Sequence, residues 1–197
     1  NIKGFFNILE ASRKNKLKHL IFASTSSVYG KNKKFPLTEN SNTDKPISFY
    51  AASKKANEVM AYSYSYIYKL PCTGLRFFTV YGPFGRPDMS LFLFTEAIMK
   101  SKLIRLFNKG NHTRDFTYVD DVVGRIIKLI KFPSKSKIPY NHFNIGSNRP
   151  THLKLFLSLI EKIMGKTTNI RYEKMQIGDI KKTHADISAI NNYLGKR

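Results

Sequence analysis

The chain has 197 residues, of which 34 are Lys or Arg and 13 are Asp or Glu, so its formal net charge is +21. With 42% hydrophobic and 13% aromatic residues it can bury a substantial core, which excludes a disordered chain, a collagen-like repeat and a disulfide-stapled miniprotein. No run of about 18 apolar residues occurs, so neither a membrane-spanning helix nor a membrane as partner is expected. The single cysteine, Cys72, cannot form an internal disulfide, which favours a cytoplasmic location.

The large positive charge suggests nucleic-acid binding as one function, because phosphate-binding proteins need Lys and Arg. The lysines are scattered singly or in pairs, however, and the densest run, residues 131–137, is interrupted by Pro and Ser and is typical of a loop. This distribution argues against a dedicated nucleic-acid surface. A non-catalytic basic module that binds nucleic acid stays open as the alternative from a different class of protein.

The first residues already have a helical pattern. The chain begins at Asn1, and residues 2–13 have the apolar spacing of an amphipathic helix. We therefore expect the chain to start within a domain. An apolar run at residues 18–23 predicts a buried strand that leads into four hydroxyl residues, 24–27, and the Pro-, Asn- and Ser-containing residues 31–48 predict a surface loop.

Helices and strands alternate in the rest of the sequence. Residues 49–68 contain neither Gly nor Pro and predict a long helix, and the apolar residues 72–80 predict a second buried strand. Further helices are predicted at residues 91–100, 119–130, 153–164 and 187–194, and further strands at 104–107 and 142–146. This alternation predicts a doubly wound parallel α/β sheet, which binds ligands at the carboxyl ends of its strands.

Two kinds of ligand-binding pattern are absent from the sequence. The five histidines share no metal-ligand spacing, so no metal is expected. No G-x-G-x-x-G cluster for a dinucleotide pyrophosphate occurs either. If the fold depends on a nucleotide, we expect that element to lie upstream of Asn1.

One pair of residues has a spacing with chemical use. Tyr50 and Lys54 stand at positions i and i+4 of a predicted helix, so both side chains emerge on one face. An ammonium group near a phenol stabilises the phenolate and lowers the tyrosine pKa from about 10 toward the range of a general base. Such pairs are also common neighbours on helix surfaces, so the spacing alone does not establish catalysis.

Four longer motifs surround this pair. The sequence reads STSSVYG at residues 24–30, YAASKKANE at 50–58, TGLRFFTVYGPFGRPDM at 73–89 and RDFTYVDD at 114–121. In this order the motifs resemble the extended short-chain dehydrogenase/reductase superfamily, and the match runs almost end to end. The second and third motifs are similar to its UDP-glucuronate 4-epimerase branch.

The resemblance implies an organisation into two parts. Residues 1–82 and 117–147 would be the remainder of a Rossmann-like NAD-binding domain that is truncated at its amino terminus. Residues 83–116 and 148–197 would form a smaller mixed domain for the nucleotide sugar. The resemblance further implies NAD as cofactor, a UDP-sugar as substrate and a homodimer, in which the helix at residues 49–68 borders the subunit contact.

The resemblance also implies roles for single residues. Tyr50 matches the catalytic tyrosine, Lys54 the lysine that lowers its pKa and holds the nicotinamide ribose, and Thr25 the hydroxyl that bonds the reacting sugar oxygen. Asn1 and Phe78 match residues beside the cofactor. The residues matched to the sugar are Ser26, Ser27 and Thr79, and those matched to the uridine diphosphate are Arg86, Arg114, Gln176 and Asp179.

The identity of two hydroxyl residues favours one reaction over another. Nucleotide-sugar dehydratases of the resembled superfamily have an Asp-Glu pair where this chain has Ser26 and Ser27. Hydroxyls cannot do carboxylate acid/base work near neutral pH, so epimerisation is favoured over elimination. They can donate hydrogen bonds to a carboxylate without adding fixed charge, so a uronate at the sugar end would be held by Ser26, Ser27 and Thr79.

The sequence therefore predicts an NAD-dependent 4-epimerase of a UDP-sugar. The favoured reaction converts UDP-glucuronate to UDP-galacturonate through a transient 4-keto sugar, with a role in polysaccharide biosynthesis. Epimerisation of a neutral UDP-hexose is the alternative within the same class. Residues 1–197 alone are expected to retain no NAD and to show no epimerase activity.

Overall fold

Six helices and eight strands make up the computed structural model, which describes residues 1–195. The helices are α1 (Ile2–Lys14), α2 (Phe49–Tyr68), α3 (Ser90–Met99), α4 (Val119–Ile130), α5 (Leu153–Met164) and α6 (Ser188–Gly195). The strands are β1 (Leu20–Thr25), β2 (Cys72–Phe77), β3 (Thr79–Tyr81), β4 (Ile104–Phe107), β5 (Thr113–Tyr118), β6 (Tyr140–Ile145), β7 (Pro150–His152) and β8 (Ile170–Glu173).

The first sheet has three parallel strands in the order β1-β2-β6. Parallel strands need crossover connections, and α2 provides one between β1 and β2. Helices cover both faces, as the two core clusters show. On one face α1 and α2 pack on the sheet through Leu9, Phe22 and Ala61, and on the other α4 and α6 pack through Leu75 and Ile145 with their neighbours. The predicted doubly wound, Rossmann-like α/β fold is therefore confirmed.

The prediction of one strand over residues 72–80 is wrong. Strand β2 ends at Phe77, and β3 begins two residues later in a different sheet of order β3-β5-β7. Between them the backbone N–H of Phe78 donates to the carbonyl of Ile145 at 3.0 Å, which turns the chain from one sheet to the next. An apolar run does not show where a strand changes its partner.

Strands β5, β7 and β8 were not predicted. Their sequences are short and mostly polar, and β8 is largely exposed, so they lack the apolar runs by which buried strands are recognised. Strand β8 pairs with β4 in a third, two-stranded sheet. Strand β5 crosses the boundary predicted between residues 116 and 117, and the division into two domains stays a prediction.

The helix that contains Tyr50 and Lys54 has the bounds that the sequence predicts. Ser48 is its N-cap and accepts a hydrogen bond from the backbone N–H of Ala51 at 3.1 Å, as short hydroxyl side chains do at helix starts. Lys69 ends it in the left-handed conformation. No helix within residues 1–195 is long and apolar enough to cross a membrane.

Strand β1 pairs on one side only within the described residues, so its other edge offers unpaired backbone groups. We predict that residues 1–197, expressed alone, are poorly soluble and associate through this edge. The soluble fraction and the size distribution from gel filtration with light scattering measure this. The control is the protein at the full length that its gene encodes, and a monodisperse fragment would contradict the prediction.

Candidate active site

The residues matched to the cofactor and to the reacting sugar oxygen lie at the carboxyl edge of the first sheet. Strand β1 ends there at Thr25 and continues into a short 3-10 helix, Ser26–Tyr29. Strand β2 ends there at Phe77, followed by Phe78. The first turn of α2, which contains Tyr50, starts from the same edge because helices run back along a parallel sheet.

Thr25 is buried and organises the hydroxyl cluster. Its Oγ1 accepts a hydrogen bond from the backbone N–H of Ser27 at 3.2 Å and lies 3.3 Å from the Ser27 hydroxyl. Gly30 ends this turn with a φ of +57°. A side chain there would be strained, and its Cβ would stand 2.4 Å from the carbonyl oxygen of Lys45, so the turn requires glycine.

Tyr50 and Lys54 lie together at the start of α2, and the Tyr50 side chain is 50% exposed. The Lys54 ammonium donates to the carbonyl of Ala23 in β1 at 3.0 Å, and its partial burial lowers its pKa. Asn1 reaches the same turn, because its Nδ2 donates to the Ser53 hydroxyl at 2.9 Å. The structure thus brings Asn1, Tyr50 and Lys54 to one place beside the end of β1.

Phe78 lies between the first two sheets, and Thr79 is the first residue of β3 in the second. Phe78 is buried, and its ring lies 6.4 Å from that of Tyr29 in an angled contact. Thr79 is half-buried and lines a small cavity of about 20 Å³ together with Arg86. The residue matched to the cofactor and a residue matched to the sugar are therefore consecutive in the chain.

The four residues matched to uridine diphosphate divide into separate groups. Arg86 is exposed and pairs with Asp88 at 3.0 Å, which raises its pKa, with a smaller contribution from the nearby Tyr50. Arg114 donates to Asp179 at 2.9 Å. The side chain of Gln176 is exposed and makes no hydrogen bond within the described residues.

Asp179 has a second neighbour in addition to Arg114. The Nε2 atom of His112 lies 2.9 Å from its Oδ2 atom. Burial, with the charge of Arg114, lowers the pKa of His112, so this imidazole is neutral near pH 7. Burial also lowers the pKa of Arg114, which stays charged. The arrangement presents one partly desolvated guanidinium that is held by a carboxylate.

A buried ion pair next to the catalytic candidates was not predicted. Glu58 accepts two hydrogen bonds from Arg76, each of 2.8 Å, and a third of 2.6 Å from the hydroxyl of Ser24. Arg76 also donates to the hydroxyl of Tyr29 at 3.0 Å and to the carbonyl of Glu39 at 3.1 Å. The pair connects α2, β1, β2 and the loop after the 3-10 helix.

The pKa values of this pair show which effect dominates. Burial alone would raise the pKa of Glu58, but the hydrogen bonds and charge of Arg76, together with Ser24, outweigh it and lower the pKa. Burial would likewise lower the pKa of Arg76, yet Glu58 and Tyr29 raise it. Burial raises the pKa of Tyr29 to about 12. The pair is therefore ionised near neutral pH, and Tyr29 keeps its proton.

A second buried carboxylate, Asp115, organises the surroundings of Arg114. It is fully buried and accepts hydrogen bonds from the backbone N–H groups of Ser147, Asn148 and Ala185 at 2.7, 3.1 and 2.9 Å. These residues lie in two distant segments of the chain. Asp115 thereby fixes Arg114, its neighbour in β5, relative to the end of β6.

A cavity of about 410 Å³ lies between α3 and β4 and contains none of the predicted site residues. It is lined by Phe94, Arg105, Phe107 and neighbouring residues. Its volume suits a small organic group. Within residues 1–195 no group of three or more His, Cys, Asp or Glu side chains is placed to hold a metal ion.

A parallel doubly wound sheet with a Tyr-x-x-x-Lys pair and a buried threonine at its carboxyl edge defines a Rossmann-like protein of the dehydrogenase/reductase class. Residues 1–146 match the NAD dependent epimerase/dehydratase family. The chain belongs to that family.

Two individual relatives are similar to nearly the whole of this chain. Protein CapI of Staphylococcus aureus is 49% identical over 95% of this chain and 60% of the relative. A probable UDP-glucuronate 4-epimerase of Rhizobium meliloti is 40% identical over 99% of this chain and 62% of the relative. The chain therefore spans about three-fifths of the length of these relatives.

A solved structure agrees with these relatives. The UDP-glucuronic acid 4-epimerase of Bacillus cereus, in complex with UDP-glucuronic acid and NAD, superposes with a TM-score of 0.91 and 33% identity. The match covers 100% of this chain and 61% of that one. The sequence resemblance to the epimerase family is confirmed by both comparisons.

The buried ion pair leads to a stability prediction. We expect Glu58→Gln to lower the free energy of unfolding by about 3–5 kcal/mol, because it leaves the Arg76 charge buried without its partner. Urea unfolding of the full-length protein at pH 7 measures the change. Glu96→Gln is the control, since Glu96 forms an exposed pair with Lys100, and an equally large loss there would contradict the prediction.

The same variant should alter the response to acid. Burial alone would raise the pKa of Glu58, but Arg76 and Ser24 hold it below its ordinary value of 4.5. The stabilisation is therefore complete above that value and is lost as the pH falls through the lower, folded-state pKa. Glu58→Gln should lose less stability than the parent on acidification below pH 4.5.

Proposed function

We propose that the protein to which this chain belongs is an NAD-dependent 4-epimerase of a UDP-sugar, and that its substrate is UDP-glucuronate. The observation on which the proposal rests is the meeting of Thr25, Tyr50 and Lys54 at one sheet edge in a chain of the epimerase/dehydratase family. The similar Bacillus cereus structure, described as a complex with UDP-glucuronic acid and NAD, supports the choice of both ligands.

The residues at this edge fit the nicotinamide half of NAD. The half-buried ammonium group of Lys54 lies at the end of β1, where it could donate a hydrogen bond to a ribose hydroxyl. Asn1 contacts the same turn of α2 through Ser53, and we assign the buried Phe78, which follows the end of β2, to the side of the nicotinamide ring. When bound, NAD supplies the acceptor and donor of hydride for the carbon at position 4.

The proton chemistry falls to this chain's own side chains. Tyr50 takes the proton from the sugar 4-hydroxyl and returns it, and the ammonium of Lys54 stabilises the phenolate. Thr25 holds the same sugar oxygen through its hydroxyl. A 4-keto sugar that turned in the site would present its other face, so that return of the hydride there and of the proton held by Tyr50 would invert the centre with no net change in the cofactor.

The residues proposed to bind the substrate supply either hydroxyl donors or positive charge. Ser26, Ser27 and Thr79 offer hydroxyl donors for a sugar carboxylate and add no acid of their own. Arg86 and Arg114 offer cations for the diphosphate, and we assign Asp179 and Gln176 to the same end of the substrate. A neutral UDP-hexose remains the alternative substrate.

We propose a homodimer because apolar side chains are exposed on α1 and α2. On α2 these include Val59, Tyr62 and Tyr66, and on α1 they include Phe6 and Ile8. A homodimer that joins these faces would bury them. The cytoplasmic location stays a prediction that rests on the cysteine content.

The rival from another class is a basic module that binds nucleic acid without catalysis. The placement of Thr25, Tyr50 and Lys54 at one edge favours the enzyme, because a binding module has no need of that arrangement. Retention on nucleic acid that weakens with salt, without binding of any UDP-sugar, would favour the module.

We predict that Tyr50→Phe in the full-length protein lowers turnover at least about 10²-fold, the loss typical of a general acid or base, and leaves UDP binding nearly intact. Steady-state epimerase assays and calorimetric titration with UDP measure the two effects. Tyr68→Phe, at an exposed tyrosine at the far end of the same helix, is the control. Turnover of Tyr50→Phe within a few-fold of the parent would refute the assignment.

A second prediction separates the two candidate substrates. The parent should prefer UDP-glucuronate to UDP-glucose in kcat/KM, and Thr79→Val should reduce that preference because the carboxylate loses a hydrogen-bond donor. The exposed Thr167 provides a matched control, Thr167→Val. Equal rates of the parent on both sugars would favour the neutral-hexose alternative while leaving the epimerase chemistry intact.

A further inference from the structure

The end of the first sheet opposite the candidate active site is formed by segments that precede its strands. Residues 14–19 precede β1, residues 69–71 precede β2, and residues 128–139 precede β6. Helices α1, α2 and α4 also end here. We call these three segments the amino edge.

Backbone hydrogen bonds hold the three segments side by side. The N–H of Leu20 donates to the carbonyl of Pro71 at 2.8 Å, and the N–H of Cys72 donates to that of Pro139 at 2.9 Å. His19 bonds across the strands to Thr73 at 2.9 Å. The amino edge is therefore one continuous surface and not three separate loops.

The charge of this surface has one sign. The amino edge contains no Asp, Glu or Arg, and it contains eight exposed lysines: Lys14, Lys16, Lys18, Lys69, Lys128, Lys131, Lys135 and Lys137. Within residues 1–195 none of the eight takes part in an ion pair.

Helix stabilisation explains only half of these lysines. Lys14, Lys69, Lys128 and Lys131 stand at or next to helix C-termini, where positive charge complements the helix dipole. The other half, Lys16, Lys18, Lys135 and Lys137, lies in loops and has no such role. These four loop lysines require another explanation.

Apolar side chains are exposed among the lysines. Leu17 is 41% exposed between Lys16 and Lys18, and Ile130 is 59% exposed next to Lys131. Lysines interleaved with exposed aliphatic residues suit a bilayer interface, where the aliphatic groups enter the headgroup layer and the ammonium groups meet anionic lipids. A single-strand nucleic-acid site would combine a basic groove with stacking aromatic rings and arginines, and the amino edge has no Arg.

We propose that the amino edge docks the protein reversibly on a bilayer surface rich in anionic phospholipids. The candidate active site lies at the other end of the strands, so a protein docked in this way keeps that site open to water. The proposal depends on the charge of the amino edge and is independent of the sugar chemistry.

The test measures binding of the full-length protein to vesicles by flotation. Vesicles of phosphatidylcholine with 30% phosphatidylglycerol (about a third anionic lipid, a strongly charged surface) are compared with pure phosphatidylcholine at low and high salt. The variant replaces Lys16, Lys18, Lys135 and Lys137 by Gln. The control replaces four exposed lysines elsewhere by Gln, which gives the same net charge: Lys33, Lys34, Lys166 and Lys174.

The expected result is salt-sensitive binding to the anionic vesicles alone, weakened at least about tenfold in the amino-edge variant and little changed in the control. Epimerase activity of both variants in solution should equal that of the parent, which shows that they fold. Absence of binding by the parent, or equal losses in both variants, would overturn the proposal. Binding to single-stranded RNA that the amino-edge variant loses, without vesicle binding, would also overturn it in favour of nucleic acid.

Discussion

The ion pair between Glu58 and Arg76 is the interaction on which the candidate site depends. It lies on the face of the first sheet that α2 covers, and its hydrogen bonds reach Ser24 and Tyr29 on either side of Thr25. Glu58 is one turn of α2 beyond Lys54, so the pair holds the catalytic helix against the strand ends. A buried pair is tolerated only when each partner keeps its hydrogen bonds, and here both do.

A second buried carboxylate, Asp115, has the same function around Arg114. Asp115 accepts hydrogen bonds from the backbone N–H groups of residues 147, 148 and 185. Its neighbour Arg114 is thereby placed against Asp179. The two carboxylates differ in what they bind. Glu58 neutralises a cation, whereas Asp115 satisfies peptide N–H groups that would otherwise be buried without partners.

The sequence predicts the order and bounds of the helices better than the contacts between distant parts of the chain. The bounds of α2, α4 and α5 agree because their patterns are local. The split at Phe78 and the strand β8 depend on distant partners, and no local pattern indicates them. Within the site, Tyr50 and Lys54 are four residues apart and were recognised by spacing. Glu58 and Arg76 meet across two elements, and the motifs that contain them gave no sign that they pair.

The passage of the chain through Phe78 has a consequence for how such proteins diversify. Phe77 is the last residue of β2 in one sheet, and Thr79 is the first residue of β3 in another. Only Phe78 lies between them. Neighbouring Cα atoms are about 3.8 Å apart, so a backbone shift that reshapes the sugar pocket at Thr79 also displaces the ring of Phe78. If Thr79 and Phe78 have the proposed roles, recognition of the sugar and placement of the nicotinamide would not be altered independently at this point. Variation in substrate would then be easier to accommodate in the separate segments that contain Ser26 and Arg86.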